Sequence, residues 1–217
     1  MVRKILENYD VNVYGFLKNN PHPNIPKIHL YYENDTKLIV YEEFISGVTL
    51  DKYLIDHTDK KELDTIVTTV CNTLMYIHNS EAHIVHRDIK TTNIMISNDG
   101  IVKLIDFNAA KIIKPESNKD TVLLGTVGYA APEQYGFGSS DQRTDVYAVG
   151  KLIQELYKGN RYKKLVLKAT HIDPNKRYKN IQSLLNAFKY GHMSFSFPGF
   201  RSNDPRHILL SIVGYTF

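Results

Sequence analysis

The sequence predicts an α+β fold of two lobes: a reduced, strand-bearing first lobe and a mainly helical second one. Three observations predict it. Short apolar runs separated by turn residues occupy the first part, at Ile28 to Tyr32 and Lys37 to Glu42. From Leu63 the apolar residues change to helical spacing, at Ile66, Val67, Val70, Leu74 and Ile77. Further helical patterns follow at Asp145 to Tyr157, Lys163 to Thr170 and Ile181 to Phe188. The chain has 217 residues, 42% of them hydrophobic, enough for one large domain or two small lobes with a real core.

Taken in order, residues 1–10 read as a short strand or the start of a helix, and Val11 to Lys18 as a helix. Pro21, Pro23 and Pro26 end that helix and force extended backbone. The two strands that follow form a hairpin turning at Glu33-Asn34-Asp35. Thr49 opens a short helix over Leu50 to Ile55, and residues 61–79 form a long amphipathic one. Strands at Ile94 to Ile96 and Ile101 to Ile105 flank Asn98-Asp99-Gly100, where Asn and Gly accept the positive φ of a tight hairpin.

A formal charge of +4, with no block of Lys or Arg, argues against nucleic acid as a partner. The one cysteine, Cys71, cannot form an internal disulfide and sits in the apolar pattern of the long helix. It reads as a small core residue of a chain kept in a reducing cytoplasm. Met1 to Tyr9 carries no apolar run of the signal-peptide kind. Ile208 to Phe217 is apolar and follows Arg201, Arg206 and His207. It is either a short docking segment or the first half of a membrane helix, entered from the cytoplasmic face.

The chemistry concentrates in His86 to Asn93 (HRDIKTTN). Phosphoryl transfer asks a protein for positioning, metal ions and a carboxylate beside the attacking hydroxyl. Asp88 can accept that proton, Lys90 can neutralise a phosphate, and Asn93 can offer Mg²⁺ a hard oxygen. Thirteen residues beyond Asn93, after the second hairpin, stands Asp106-Phe107-Asn108. A carboxylate after the apolar run Val102 to Ile105 is awkward unless a cation meets it, so Asp106 is expected to complete a metal site with Asn93.

These residues resemble the eukaryotic-like Ser/Thr protein kinases, in particular their bacterial, Hanks-type members. HRDIKTTN resembles the catalytic loop and Asp106-Phe107-Asn108 the metal-binding DFG. Gly125 to Glu133 (GTVGYAAPE) resembles the end of the activation segment, Asp145 to Gly150 the start of the central helix, and Asp173 to Tyr178 (DPNKRY) the last kinase signature. The order agrees from about Met1 to Phe188. The resemblance implies a kinase-like first lobe and hinge at 1–47, a second lobe at 48–190 and an extension at 191–217. It implies ATP and Mg²⁺ as cofactors and a protein bearing a Ser or Thr acceptor as substrate. Asp88 would be the base, Lys90 the phosphate contact, Asn93 and Asp106 the metal ligands, and Thr126 the bridge between Asp88 and Lys90. Glu133 and Arg177 would form a buried pair, and Asp145 would hold the catalytic loop. Arg87 would receive a phosphate carried by Ser117 or Thr121. Adenine would meet main chain between Glu43 and Ile45, after a strand that ends on Glu42.

Four departures qualify the resemblance. No Gly-rich loop precedes the expected nucleotide lysine, Lys4 with Arg3 as the alternative, so the chain reads as truncated before it; Gly136 and Gly138 lie after the activation segment and make no phosphate cradle. No helix glutamate is evident as the partner of that lysine: Glu7 and Asp10 are candidates and neither fits well, so Glu42, at a position usually apolar, is expected to pair with it instead. Asn108 replaces a usual glycine, and Asn tolerates left-handed backbone. Only about fifteen residues separate Tyr157 from Asp173, too few for the usual docking helix. The leading expectation is an active Ser/Thr kinase. The alternative is a pseudokinase that binds nucleotide or scaffolds partners; a small-molecule kinase is disfavoured by the segment GTVGYAAPE.

Overall fold

The computed structural model describes residues 1–113, 126, 128–136 and 138–191. Its first sheet is antiparallel, in the order β1-β3-β2, from β1 (Val2–Leu6), β2 (Ile28–Asn34) and β3 (Lys37–Glu42). Strand β3 is central because Leu38, Ile39 and Val40 have apolar neighbours on both sides and are buried. Helix α1 (Val11–Asn19) packs Val13, Tyr14 and Leu17 inward, one face of two turns. Asp10 caps it by accepting the Asn12 N–H, and the helix ends just before Pro21. The β2–β3 turn falls at Asp35-Thr36, one residue later than expected. Asp35 takes the left-handed φ of 54°, so Asn34 stays in the strand.

After the first sheet come β4 (Gly47–Thr49), α2 (Leu50–Tyr53) and the long α3 (Lys60–His78). Asp59 caps α3 through the N–H groups of Lys61 and Glu62. Two small antiparallel sheets follow. One joins β4 to β6 (Ile94–Ser97) and β7 (Val102–Leu104), and the other pairs β5 (Ile84–Val85) with β8 (Lys111–Ile112). Gly47 lies so close to β6 that a Cβ there would sit 2.1 Å from the Ile96 carbonyl oxygen. Cys71 is fully buried in α3, and burial pushes its thiol up to about 12, as suits an inert core residue.

Three helices complete the described chain: α4 (Gln142–Leu156), α5 (Lys163–Ala169) and α6 (Ile181–Tyr190). Helix α4 starts a turn before the expected Asp145, because Asp141 and Thr144 form a reciprocal capping box. Six residues connect α4 to α5, and Gly150 lets α5 approach to where a Cβ would meet that of Ala169 at 2.7 Å. Helices α4 and α5 thus pack directly against each other across this short connection. Among the described residues no helix is long and apolar enough to cross a membrane. Ile208 to Phe217, Ser117 and Thr121 lie outside the described residues.

The lobes are tied by Asn24 in the Pro-rich turn. Its side chain donates to the Val102 carbonyl at 2.8 Å and its own carbonyl accepts the Leu104 N–H at 2.8 Å. His22 stacks on Tyr76 of α3 at 4.5 Å. Within the second lobe Arg177 forms a two-point pair with Glu133, at 2.7 and 2.8 Å, and also donates to the carbonyls of Arg143, His171 and Ile172. Thr144 adds a hydroxyl to Glu133 at 2.9 Å. Both charges are buried, so removing one strands the other. Arg177→Met is expected to cost roughly 3–5 kcal/mol in urea unfolding. A loss below about 1 kcal/mol, the range of exposed ion pairs, would contradict this account.

Candidate active site

A cavity of about 470 Å³ opens between the end of β1 and the loops after β5 and β7. Its lining includes Asp88, Asp106, Asn108 and Thr126, with Leu6 above. Sequence reasoning expected Asp88, Asn93 and Asp106 to converge. Asp88 and Asp106 share this cavity, and Asn93 donates its side-chain nitrogen to the Asp88 carboxylate at 2.7 Å and to the Asp88 carbonyl at 2.9 Å. The Asn93 carbonyl accepts the Ile105 N–H, holding the residue before Asp106 against it.

Asp88, Lys90 and Thr126 form a closed triangle. Lys90 Nζ donates to Asp88 Oδ2 at 2.9 Å and to Thr126 Oγ1 at 2.7 Å, and Thr126 donates to Asp88 Oδ1 at 2.8 Å. Burial works to raise the Asp88 carboxyl, but hydrogen bonds from Lys90 and Thr126 and the Lys90 charge together outweigh it and hold it below the ordinary range. Asp88 is therefore an ionised carboxylate fixed at both oxygens.

The loop bearing these residues hangs on Asp145. That carboxylate accepts the backbone N–H groups of His86 and Arg87 at 2.8 Å each, and His78 Nε2 lies 2.8 Å away. Burial raises its carboxyl, and the His78 hydrogen bond and charge with these backbone bonds more than reverse the effect, leaving it lowered. Arg87 and Asp106 take left-handed φ values of 66° and 64°, unusual for residues with side chains. Such strain costs of order 1–3 kcal/mol each and clusters at functional sites. Arg87 is buried, and its Nε donates to the Ala109 carbonyl at 2.6 Å. His86 is also buried, which lowers its pKa and keeps it neutral beside Phe107.

In the first lobe Lys4 pairs with Glu42 at 2.8 Å. The register sets Lys4 opposite Val40, so Glu42 is its diagonal neighbour across β1 and β3. Neither other candidate partner meets Lys4. Glu7 pairs with Lys37 at 2.9 Å, and Asp10 is spent on the α1 cap and on the Ile112 N–H. Helix α1 carries no acidic residue at all. At the expected hinge the Glu43 N–H donates to the Lys27 carbonyl, while its side chain pairs with Lys103 at 2.9 Å and accepts the Lys27 N–H. Asn108 does not use the left-handed backbone expected of it; the positive φ belongs to Asp106, and the Asn108 side chain instead accepts from Tyr14.

The residues present fit a magnesium nucleotide. Among the described residues no group of three or more His, Cys, Asp or Glu side chains could hold a metal unaided. Asn93 and Asp106 would thus share the ion with phosphate and water oxygens, which is how Mg²⁺ is usually held. Tyr14 and His78 were missed by sequence reasoning, and Asp10 was considered only as a partner of Lys4, not as the cap and Ile112 acceptor that it is. Each sits at a helix position where a core or capping residue is the ordinary reading, and no local pattern marks it.

The protein kinase domain model matches residues 11–206. Three proteins of Arabidopsis thaliana are similar. "Probable serine/threonine-protein kinase PBL8" is 35% identical over 159 residues, 70% of this chain and 38% of that protein. A probable LRR receptor-like serine/threonine-protein kinase is 32% identical over 164 residues, 73% of this chain and 14% of that protein. Wall-associated receptor kinase 2 is 34% identical over 152 residues, 64% of this chain and 20% of that protein. The chain thus spans well under half the length of these relatives. They are plant proteins and lend no support to a bacterial affiliation.

The Asp88 triangle has a direct test. The Asp88 carboxyl carbon should titrate below the ordinary aspartate value of about 3.9. Thr126→Val and Lys90→Met should each move it upward, because each removes a donor to the ionised form. Carbon-detected NMR titration reads this; an unshifted Asp88 in the parent chain would refute the geometry.

Proposed function

This chain belongs to the protein kinase domain family, and we propose that it transfers the γ-phosphoryl group of ATP to Ser or Thr hydroxyls of a protein substrate. The observation that carries the reading is the Asp88–Lys90–Thr126 triangle on the cavity shared with Asp106. Asp88 would orient the acceptor hydroxyl and take its proton as that oxygen bonds the γ-phosphorus, while the bond from the γ-phosphorus to the β–γ bridging oxygen breaks and ADP leaves. Its lowered pKa makes it a weak base, which suffices because little proton transfer is needed before bond making. Lys90 lies where it can steady the transferred phosphoryl group, and Thr126 holds Asp88 and Lys90 together. The Lys90–Thr126 contact supports Ser/Thr rather than Tyr acceptors.

Asn93 and Asp106 would hold Mg²⁺, and Lys4, kept in place by Glu42, would meet the nucleotide phosphates. The Glu43 carbonyl and Ile45 amide would receive adenine. When bound, the ion supplies charge neutralisation at the phosphates. In this reading residues 1–47 form the first lobe and hinge, 48–190 the second lobe and 191–217 an extension. The net charge of +4 gives no support to nucleic acid as a partner. Membrane attachment would rest on residues 191–217 alone.

Incubation with Mg²⁺, labelled ATP and a generic basic protein should transfer label, and Asp88→Asn should reduce it at least about 100-fold. Glu42→Gln should raise the KM for ATP roughly tenfold, about 1.4 kcal/mol. ATP binding without transfer in the parent chain would point to a pseudokinase, and an unchanged Glu42→Gln would detach Glu42 from the nucleotide.

A further inference from the structure

Two departures from the kinase pattern meet in space. Helix α1 lacks the acidic side chain that would tie a helix to the nucleotide lysine, and Lys4 is satisfied within its own sheet. The residue after Phe107 is asparagine rather than glycine. The Tyr14 hydroxyl of α1 donates to Asn108 Oδ1 at 3.0 Å. Tyr14 is 1% exposed, so its phenol has no water to fall back on. Burial, with the charges of Asp106 and Glu42 nearby, raises its pKa and keeps it a donor.

A second bond lies one helical turn earlier. Asp10 caps α1 and also accepts the Ile112 N–H at 3.2 Å. Positions 10 and 14 thus face the same way and grip both ends of the segment 108–112. On its other side the segment receives Arg87 at the Ala109 carbonyl. The Asn108 N–H in turn points to Asp106 Oδ1 at 3.4 Å. A path of hydrogen bonds runs from α1 through Asn108 to the left-handed Asp106.

We propose that Tyr14 is a positioning residue: through Asn108 it fastens the Asp106 loop to helix α1, a helix that carries no carboxylate to reach Lys4. The inference rests on the kinase reading for the role of Asp106, but the fastening itself does not. It divides the labour: β1 and β3 set Lys4 without the helix, and the helix sets the metal-binding loop. A shift of α1 would then alter metal binding while leaving the Lys4–Glu42 pair intact.

The test uses the full chain with Tyr14→Phe, Asn108→Gly and the double variant. Without ligand, amide exchange over residues 106–110 should accelerate in both single variants. With nucleotide, the half-saturating Mg²⁺ for binding should rise roughly three- to tenfold, the range one net hydrogen bond supplies. The double variant should be no worse than either single one. Unchanged exchange and Mg²⁺ dependence, or additive losses, would overturn the pairing. If Tyr14→Phe fails to fold, Asn108→Gly alone decides by the same two readouts. A parent chain that binds no magnesium nucleotide, yet shows the exchange effect, would sink the kinase reading and the metal role while leaving the fastening standing.

Discussion

The Asp145 carboxylate is the interaction on which the site depends. It is fully buried in α4 and anionic, and it holds the backbone of His86 and Arg87 while His78 of α3 meets it from the side. A buried charge is tolerable only with such a set of partners. The same bonds pin Arg87 in a left-handed conformation that it would not choose alone. With Arg87 fixed, Asp88 emerges into the cavity and Lys90 and Thr126 close around it. One core carboxylate thus converts the packing of α3 and α4 into the placement of a surface carboxylate.

The first lobe solves a different problem. Its lysine needs a counter-charge, and a helix without acids cannot supply one. The sheet does so, because period-two alternation puts Lys4 and Glu42 on one face of adjacent strands. Helix α1 is then free to use its buried phenol and its capping aspartate against the segment 108–112. These changes are mutually consistent: each apparent defect in the pattern is the complement of another.

Much of this was legible in the sequence. Hydrophobic period and turn chemistry gave every long helix and both main hairpins, with errors of one to a few residues at the ends. The order of HRDIKTTN, Asp-Phe-Asn and DPNKRY gave the chemistry. Glu42 was legible as the stand-in partner of the lysine, and strand register supplies the reason. The misses are of one kind. Asn108 was read by its backbone tolerance, whereas its side chain does the work. Tyr14 looked like any core aromatic.

By itself the sequence determined the elements and singled out the candidate reacting groups, because helix period, strand alternation, caps and motif spacing are local properties of the chain. The tertiary structure alone decided which groups share a hydrogen bond across 94 residues, as Tyr14 and Asn108 do, or across 59, as Asp145 and His86 do. Such pairings depend on how helices and strands pack, and that packing is settled by the whole core at once rather than by any stretch of it.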